Sequence, residues 1–237
     1  MKKYFLLIGI LFLTSCGISV VKESSNRGLI IPAYFYDSDL WQKVIDADAD
    51  IVAIVNPDNG PGNSKDSFYT HKIEDLIAKG KKPVGYVYTT YAQRNIEIVK
   101  DEIDKWIEFY PKIEGFFIDE VTSDAVHYDY YSDLKDYILS KGDYYIVLNP
   151  GTMPNAVYFS LADNIVVYEG NASLIPNKTC ETYTDKSSII VYDANETQMK
   201  DILYKYRCRY LYVTDDSGSN PYDTLPGYFD EEIKLLK

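Results

Sequence analysis

From residue 28 onward, short and nearly unbroken apolar runs alternate with longer stretches in which apolar residues return every three or four positions. The runs fall at 29–34, 51–55, 84–88, 115–118, 145–148, 164–168, 188–192 and 210–213, and most are built of Val, Ile, Leu and aromatics. A parallel strand covered on both faces loses the in-out alternation of a half-exposed one, and these runs have lost it. Between them, 95–110 is the clearest helix: Ile96, Val99, Ile103, Trp106 and Ile107 recur at helical spacing among acids and lysines. Shorter helices are predicted over 39–45, 72–79, 131–139 and 196–206. Gly80 and Gly142 follow two of them, where a left-handed capping residue is expected. The last stretch, 215–237, is turn-rich and then weakly helical.

Eight strand–helix alternations in about 210 residues fit a single-domain α/β fold, a (β/α)8 TIM-type barrel over residues 28–237, better than an open doubly wound sheet. No glycine-rich phosphate loop follows any strand, so no nucleotide cofactor is expected. Barrel enzymes build their sites at the C-terminal rim of the strands. Two strands end there in Asn-Pro, at Ile54-Val55-Asn56-Pro57 and Val147-Leu148-Asn149-Pro150, each leading into a glycine-bearing turn. Proline cannot continue a ladder, so Asn56 and Asn149 mark the rim.

The same rim carries acids. Asp119 and Glu120 close the run Gly115-Phe116-Phe117-Ile118, and Glu169 closes Ile165-Val166-Val167-Tyr168. Carboxylates directly after an apolar strand are costly unless they reach solvent or partners. With Phe117 inward, alternation turns Asp119 into the mouth and leans Glu120 toward the next loop. Asp119 would end the fourth strand and Glu169 the sixth, roughly 9–10 Å apart along the sheet. Convergence on the axis brings their side chains to about 5–9 Å, which covers both the retaining and the inverting spacing of glycosidase carboxylate pairs. Like charges held together cannot all ionise cheaply, which supplies the protonated and ionised partners such chemistry needs.

Composition adds three constraints. The chain holds 24 tyrosines, with Tyr34, Tyr36, Tyr86, Tyr88, Tyr91, Tyr168 and Tyr192 at strand ends, where phenol rings suit the C–H faces and hydroxyls of sugars. Tyr86, Tyr88, Tyr34, Asn149 and Asn56 are the candidates for substrate contact. The formal charge of −12 argues against nucleic acid as a partner. Only two histidines and three cysteines are present, fewer than a metal hydrolase draws on, so no metal is expected. Cys180 and Cys208 are equally readable as a disulfide or as two free thiols.

The N-terminus sets the compartment. Lys2 and Lys3 precede an apolar run, and Leu13-Thr14-Ser15-Cys16-Gly17 follows it. The run is too short for a permanent span and is similar to a bacterial lipoprotein signal peptide over residues 1–15, with Cys16 as the lipidated residue. Residues 16–27 then read as a polar tether. The expected protein is a monomer of the cell envelope, outside the cytoplasm and membrane-anchored through acyl chains on Cys16. Removal of Lys2 and Lys3 would leave 22 basic against 36 acidic residues, a charge of −14.

Taken in order, six segments resemble spherulation-specific family 4, the spherulin-4-like proteins. They are Pro32-Ala33-Tyr34-Phe35-Tyr36, the stretch from Ile54 to Gly62, Gly85-Tyr86-Val87-Tyr88-Thr89-Thr90-Tyr91, the run Gly115 to Glu120, Leu148-Asn149-Pro150-Gly151-Thr152 and Val166-Val167-Tyr168-Glu169. The resemblance covers nearly the whole body. It implies a (β/α)-barrel like that of glycoside hydrolase family 135, whose activity is endo-hydrolysis of α-1,4-linked N-acetylgalactosamine in a fungal exopolysaccharide. It also implies Asp119, Glu120 and Glu169 as the catalytic acids. The expectation is a metal-independent endo-glycosidase for a galactosamine-containing polysaccharide, against the alternatives of a non-catalytic glycan-binding or a structural surface lipoprotein.

Overall fold

The computed structural model describes residues 27–236, and the expected signal peptide, lipidated Cys16 and most of the expected tether lie outside the described residues. Eight parallel strands form a closed barrel: β1 (Gly28–Ala33), β2 (Ile51–Val55), β3 (Lys82–Tyr88), β4 (Gly115–Asp119), β5 (Tyr145–Leu148), β6 (Asn164–Asn171), β7 (Ser187–Tyr192) and β8 (Tyr210–Val213). Each pairs with its sequence neighbours, and β8 returns to β1. β1 and β2 are buried at every position, as their unbroken apolar sequences require.

Among the described residues, six α-helices cover the barrel: α1 (Ser38–Asp46), α2 (Ser67–Ala78), α3 (Ile96–Phe109), α4 (Tyr128–Lys141), α5 (Glu196–Lys205) and α6 (Phe229–Leu236). Side-chain caps set several starts. Asp37, Asp66 and Asn95 cap α1, α2 and α3, and Asn195 forms a capping box with Gln198 on α5. Asp66 explains why α2 begins five residues before the predicted 72. After β5 and β6, where the sequence shows no helical spacing, the connections hold only short 3-10 turns, Ala156–Ser160, Ala172–Leu174 and Thr184–Lys186. A Cys180–Cys208 disulfide, Cα atoms 5.2 Å apart, holds the β6–β7 connection, which has no α-helix, to the segment just before β8. Gly80 takes the expected left-handed φ of +70°, whereas Gly142 is extended at φ 163° and so is no left-handed cap. Arg27, expected at the end of the tether, belongs to the body: its guanidinium donates to Leu203 O (2.9 Å) and Tyr206 O (3.3 Å) at the end of α5.

Two packing details position the mouth. On α3, Val99, Ile103 and Trp106 are buried, and the Trp106 indole N–H donates to Tyr86 O at 3.0 Å. A Cβ on Gly85 would stand 2.6 Å from the Trp106 ring, so only glycine lets α3 press against β3 where Tyr86 is set.

The second detail is the seam between β8 and β1, which pair over two residues only. Thr214 N–H bonds Val191 O of β7, so the preceding Val213 N–H turns toward β1, beyond the reach of the ladder. The wholly buried Glu232 of α6 accepts it at 2.9 Å, with its second oxygen unpartnered. Burial pushes the Glu232 carboxyl well above its ordinary range, only partly opposed by the Val213 N–H. A folded pKa above the unfolded one stabilises fully below the unfolded value, and that stabilisation is lost as pH rises through the folded value. Glu232→Gln, which mimics the neutral acid, is expected to match the parent at about pH 4 and to melt higher at about pH 8. Identical melting curves at both pH values would acquit this carboxyl as the pH-sensitive group.

Candidate active site

At the C-terminal rim, β3 to β6 deliver side chains to one point. Asp119 is the last residue of β4, one rung beyond the Ile118–Leu148 pair of β4 and β5. Tyr86 faces Phe117 across the β3–β4 register, their rings 6.2 Å apart and near parallel. From there the Tyr86 hydroxyl donates to Asp119 Oδ2 at 2.7 Å. Glu169 lies beyond a bulge in β6, where the register jumps from Val166–Ser188 to Tyr168–Ile189 and one extra residue re-phases the remainder of the strand. Tyr168 spends its hydroxyl on Asn171 O (2.6 Å), while Glu169 enters the mouth.

Asn149, just past β5, joins the two acids. Its backbone is held by Ile118 O and Val121 N–H, and its side-chain oxygen accepts from Gly151 N–H at 3.0 Å. With the carbonyl side engaged, Nδ2 faces the acids and donates to Asp119 Oδ1 (2.7 Å) and Glu169 Oε2 (2.5 Å). Gly151, at φ +63°, turns the chain so that its carbonyl also receives Glu169 N–H at 3.0 Å. Tyr222 completes the set by donating to Glu169 Oε1 at 2.6 Å. Tyr34 packs edge-on against both Tyr86 and Tyr222, at 5.8 and 5.9 Å.

The electrostatics reflect this crowding. Burial raises the Glu169 carboxyl above its ordinary range, the Asp119 charge raises it further, and the Tyr222 and Asn149 donors oppose both. Burial likewise raises Asp119, against the donors Tyr86, Glu120 N–H and Asn149, with the Glu120 charge pushing upward. Burial and the adjacent carboxylates keep the Tyr86 and Tyr222 phenols protonated, hence donors. Two carboxyl groups that share one amide nitrogen titrate as a coupled pair, the charge on one favouring the proton on the other.

Other candidates lie to the side. Glu120 sits at a left-handed φ of 53°, its carbonyl bonded to Tyr91 N–H (2.8 Å) and its side chain half-buried near Asp119. The Asn56 side chain accepts from Gly60 N–H at 2.9 Å and shapes its own loop. The Tyr88 ring lies under the Arg94 guanidinium at 3.9 Å, with one face already covered. Among the described residues, no group of three or more His, Cys, Asp or Glu is placed to hold a metal ion. Tyr222 is a site residue that sequence reasoning missed, because it stands in the turn-rich C-terminal stretch. The signal was Asn220-Pro221, a third Asn-Pro like the two already placed on the rim.

The Asn149 amide favours the ionised forms of both acids, so Asn149→Ala is expected to raise the apparent pKa values of the pair. Tyr222→Phe should raise that of Glu169. Carboxyl-carbon NMR titration reads both directly, and a downward shift in either variant would contradict the bonding described.

Residues 28–236 match the sequence profile of spherulation-specific family 4. Spherulin-4 of Physarum polycephalum is 33% identical over 230 residues, which cover 88% of this chain and 69% of that protein. Among solved structures, Aspergillus clavatus Sph3, determined in complex with GalNAc, aligns with a TM-score of 0.76 at 24% identity, over 89% of this chain and 97% of that one. A GH18 chitinase from Pseudoalteromonas aurantia aligns at 0.54 with 12% identity, over 88% and 98%. These two share the barrel fold with this chain.

Proposed function

The chain belongs to spherulation-specific family 4, and on that footing we propose that it is an endo-acting, metal-independent glycoside hydrolase that cuts a galactosamine-containing polysaccharide. The observation that carries this reading is one amide nitrogen bonded to two carboxylates from different strands. Their nearest oxygens are no farther apart than those two bonds laid end to end. A pair this close suits the roughly 5–5.5 Å separation of retaining carboxyl groups better than the roughly 6.5–9.5 Å that leaves room for an inverting water.

The hydrogen bonds divide the roles. Asp119 accepts from three donors, Tyr86, Asn149 and the Glu120 N–H, which favour its charged form. Glu169 accepts from two side chains and faces the Asp119 charge, which favours its proton. Glu169 therefore protonates the leaving glycosidic oxygen while an Asp119 oxygen attacks the anomeric carbon to form a glycosyl ester. Glu169, now ionised, takes a proton from water, whose oxygen displaces Asp119 and releases the sugar with its configuration retained. Glu120 tunes the pair through its charge. An acidic protein surface suits a partly deacetylated, cationic polymer, and the solved Sph3 complex with GalNAc supports an amino sugar as the ligand.

Incubation of the purified protein with a galactosamine-rich exopolysaccharide should release new reducing ends, and Asp119→Asn or Glu169→Gln should lower that rate by about 10²–10⁴-fold. Polymer binding without release in the parent would instead favour a glycan-binding protein.

The lipoprotein reading of Cys16 is part of the proposal. Metabolic labelling with an alkynyl fatty acid should mark the full chain in bacterial cells, and Cys16→Ser should abolish the label and release the protein from membranes. A labelled Cys16→Ser protein would sink the anchor.

A further inference from the structure

We infer that Tyr91 is a carbohydrate-stacking platform that holds a pyranose ring of the polymer beside the acid pair; this rests on the glycoside hydrolase reading. Thr90, Tyr91 and Ala92, between β3 and α3, stand in succession at φ 49°, 53° and 62°. Left-handed backbone is sterically costly for every non-glycine residue, and most for a β-branched one such as Thr90.

Strain of this kind survives only where the surroundings over-determine it, and it gathers at functional sites. Here the turn is fastened to the tip of β4. Thr89 N–H and Tyr91 N–H donate to Asp119 O and Glu120 O, at 3.1 and 2.8 Å. The Thr89 hydroxyl donates to the same two carbonyls, at 3.1 and 2.9 Å. Arg94 N–H closes the turn on Thr89 O at 3.1 Å, and the Arg94 guanidinium binds Tyr88 O and pairs with Glu102. Glu120 itself takes a left-handed φ of 53° to meet these bonds.

This framework delivers a tyrosine that is 52% exposed and outside the core. Burial does not account for the ring, and a glycine would hold the same backbone without strain. The other mouth tyrosines are engaged: Tyr86 and Tyr222 bond the acids, and Tyr34 packs between them. Tyr91, whose N–H is bonded to the carbonyl of the residue next to Asp119, keeps its ring exposed to meet the apolar face of a sugar.

The test compares the parent with Tyr91→Gly, Tyr91→Phe and, as a control, Tyr204→Ala, a tyrosine 80% exposed on α5. Each is run through a native gel containing galactosamine-rich polysaccharide and assayed for reducing ends. Tyr91→Gly removes the ring and eases the backbone, so it should melt no lower than the parent. Its retardation by the polymer should largely vanish and its KM rise about fivefold to tenfold. Tyr91→Phe should restore both, and Tyr204→Ala should behave as the parent. Parent-like retardation and KM in Tyr91→Gly would overturn the inference. A parent that is retarded but releases no reducing ends would refute the hydrolase reading and leave Tyr91 to be judged on the gel. A parent neither retarded nor active would overturn both.

Discussion

Two carboxylates brought face to face at the mouth of a barrel repel each other and lose their hydration, and the Asn149 amide is what makes that arrangement tenable. Its nitrogen supplies a donor to each acid while its oxygen is fixed by Gly151 N–H. Tyr86 and Tyr222 take the outward oxygens, and Tyr34 keeps their rings apart. Behind Tyr86 stands Trp106, admitted by Gly85. The donor network thus reaches from α3 through β3, β4 and β5 to the segment after β8. Any residue that shifts a strand tip alters how the proton is divided between the acids.

Much of this was legible because hydrophobic continuity, strand ends and rim acids are local signals. The eight apolar runs fall on the eight strands, and Asp119, Glu169, Asn149, Tyr86 and Tyr34 meet at one point of the mouth. The features that escaped are non-local. The bulge at Val167 cannot be told from a regular strand by composition, because a valine fits either. Glu232 looks like one more surface acid of an amphipathic helix until the short β8–β1 seam shows which backbone N–H it serves. A full (β/α)8 repeat would carry α-helices after β5 and β6, but neither stretch shows helical spacing, and 3-10 turns such as Ala156–Ser160 stand there. Cys180 and Cys208, 28 residues apart in sequence, are brought within bonding distance by the barrel, not by any local pattern.

The distribution of strain is equally informative. Of the left-handed non-glycine residues described, Asn59 and Asp193 are types that tolerate the region, whereas Thr90, Tyr91, Ala92 and Glu120 form two touching segments at one edge of the mouth. Concentration at that edge, instead of scatter around the rim, marks where local comfort was exchanged for placement.

Because all eight strands run in one direction, the chain enters the barrel at Gly28 on the face opposite the acids, and Arg27 is pinned there against the end of α5. An anchor N-terminal to Arg27 would therefore pull on the floor of the barrel. With a lipid at Cys16, the protein would stand on the bilayer with its mouth turned outward. If the proposed hydrolase reading holds, polymer of any length would then approach from the surroundings without passing beneath the body.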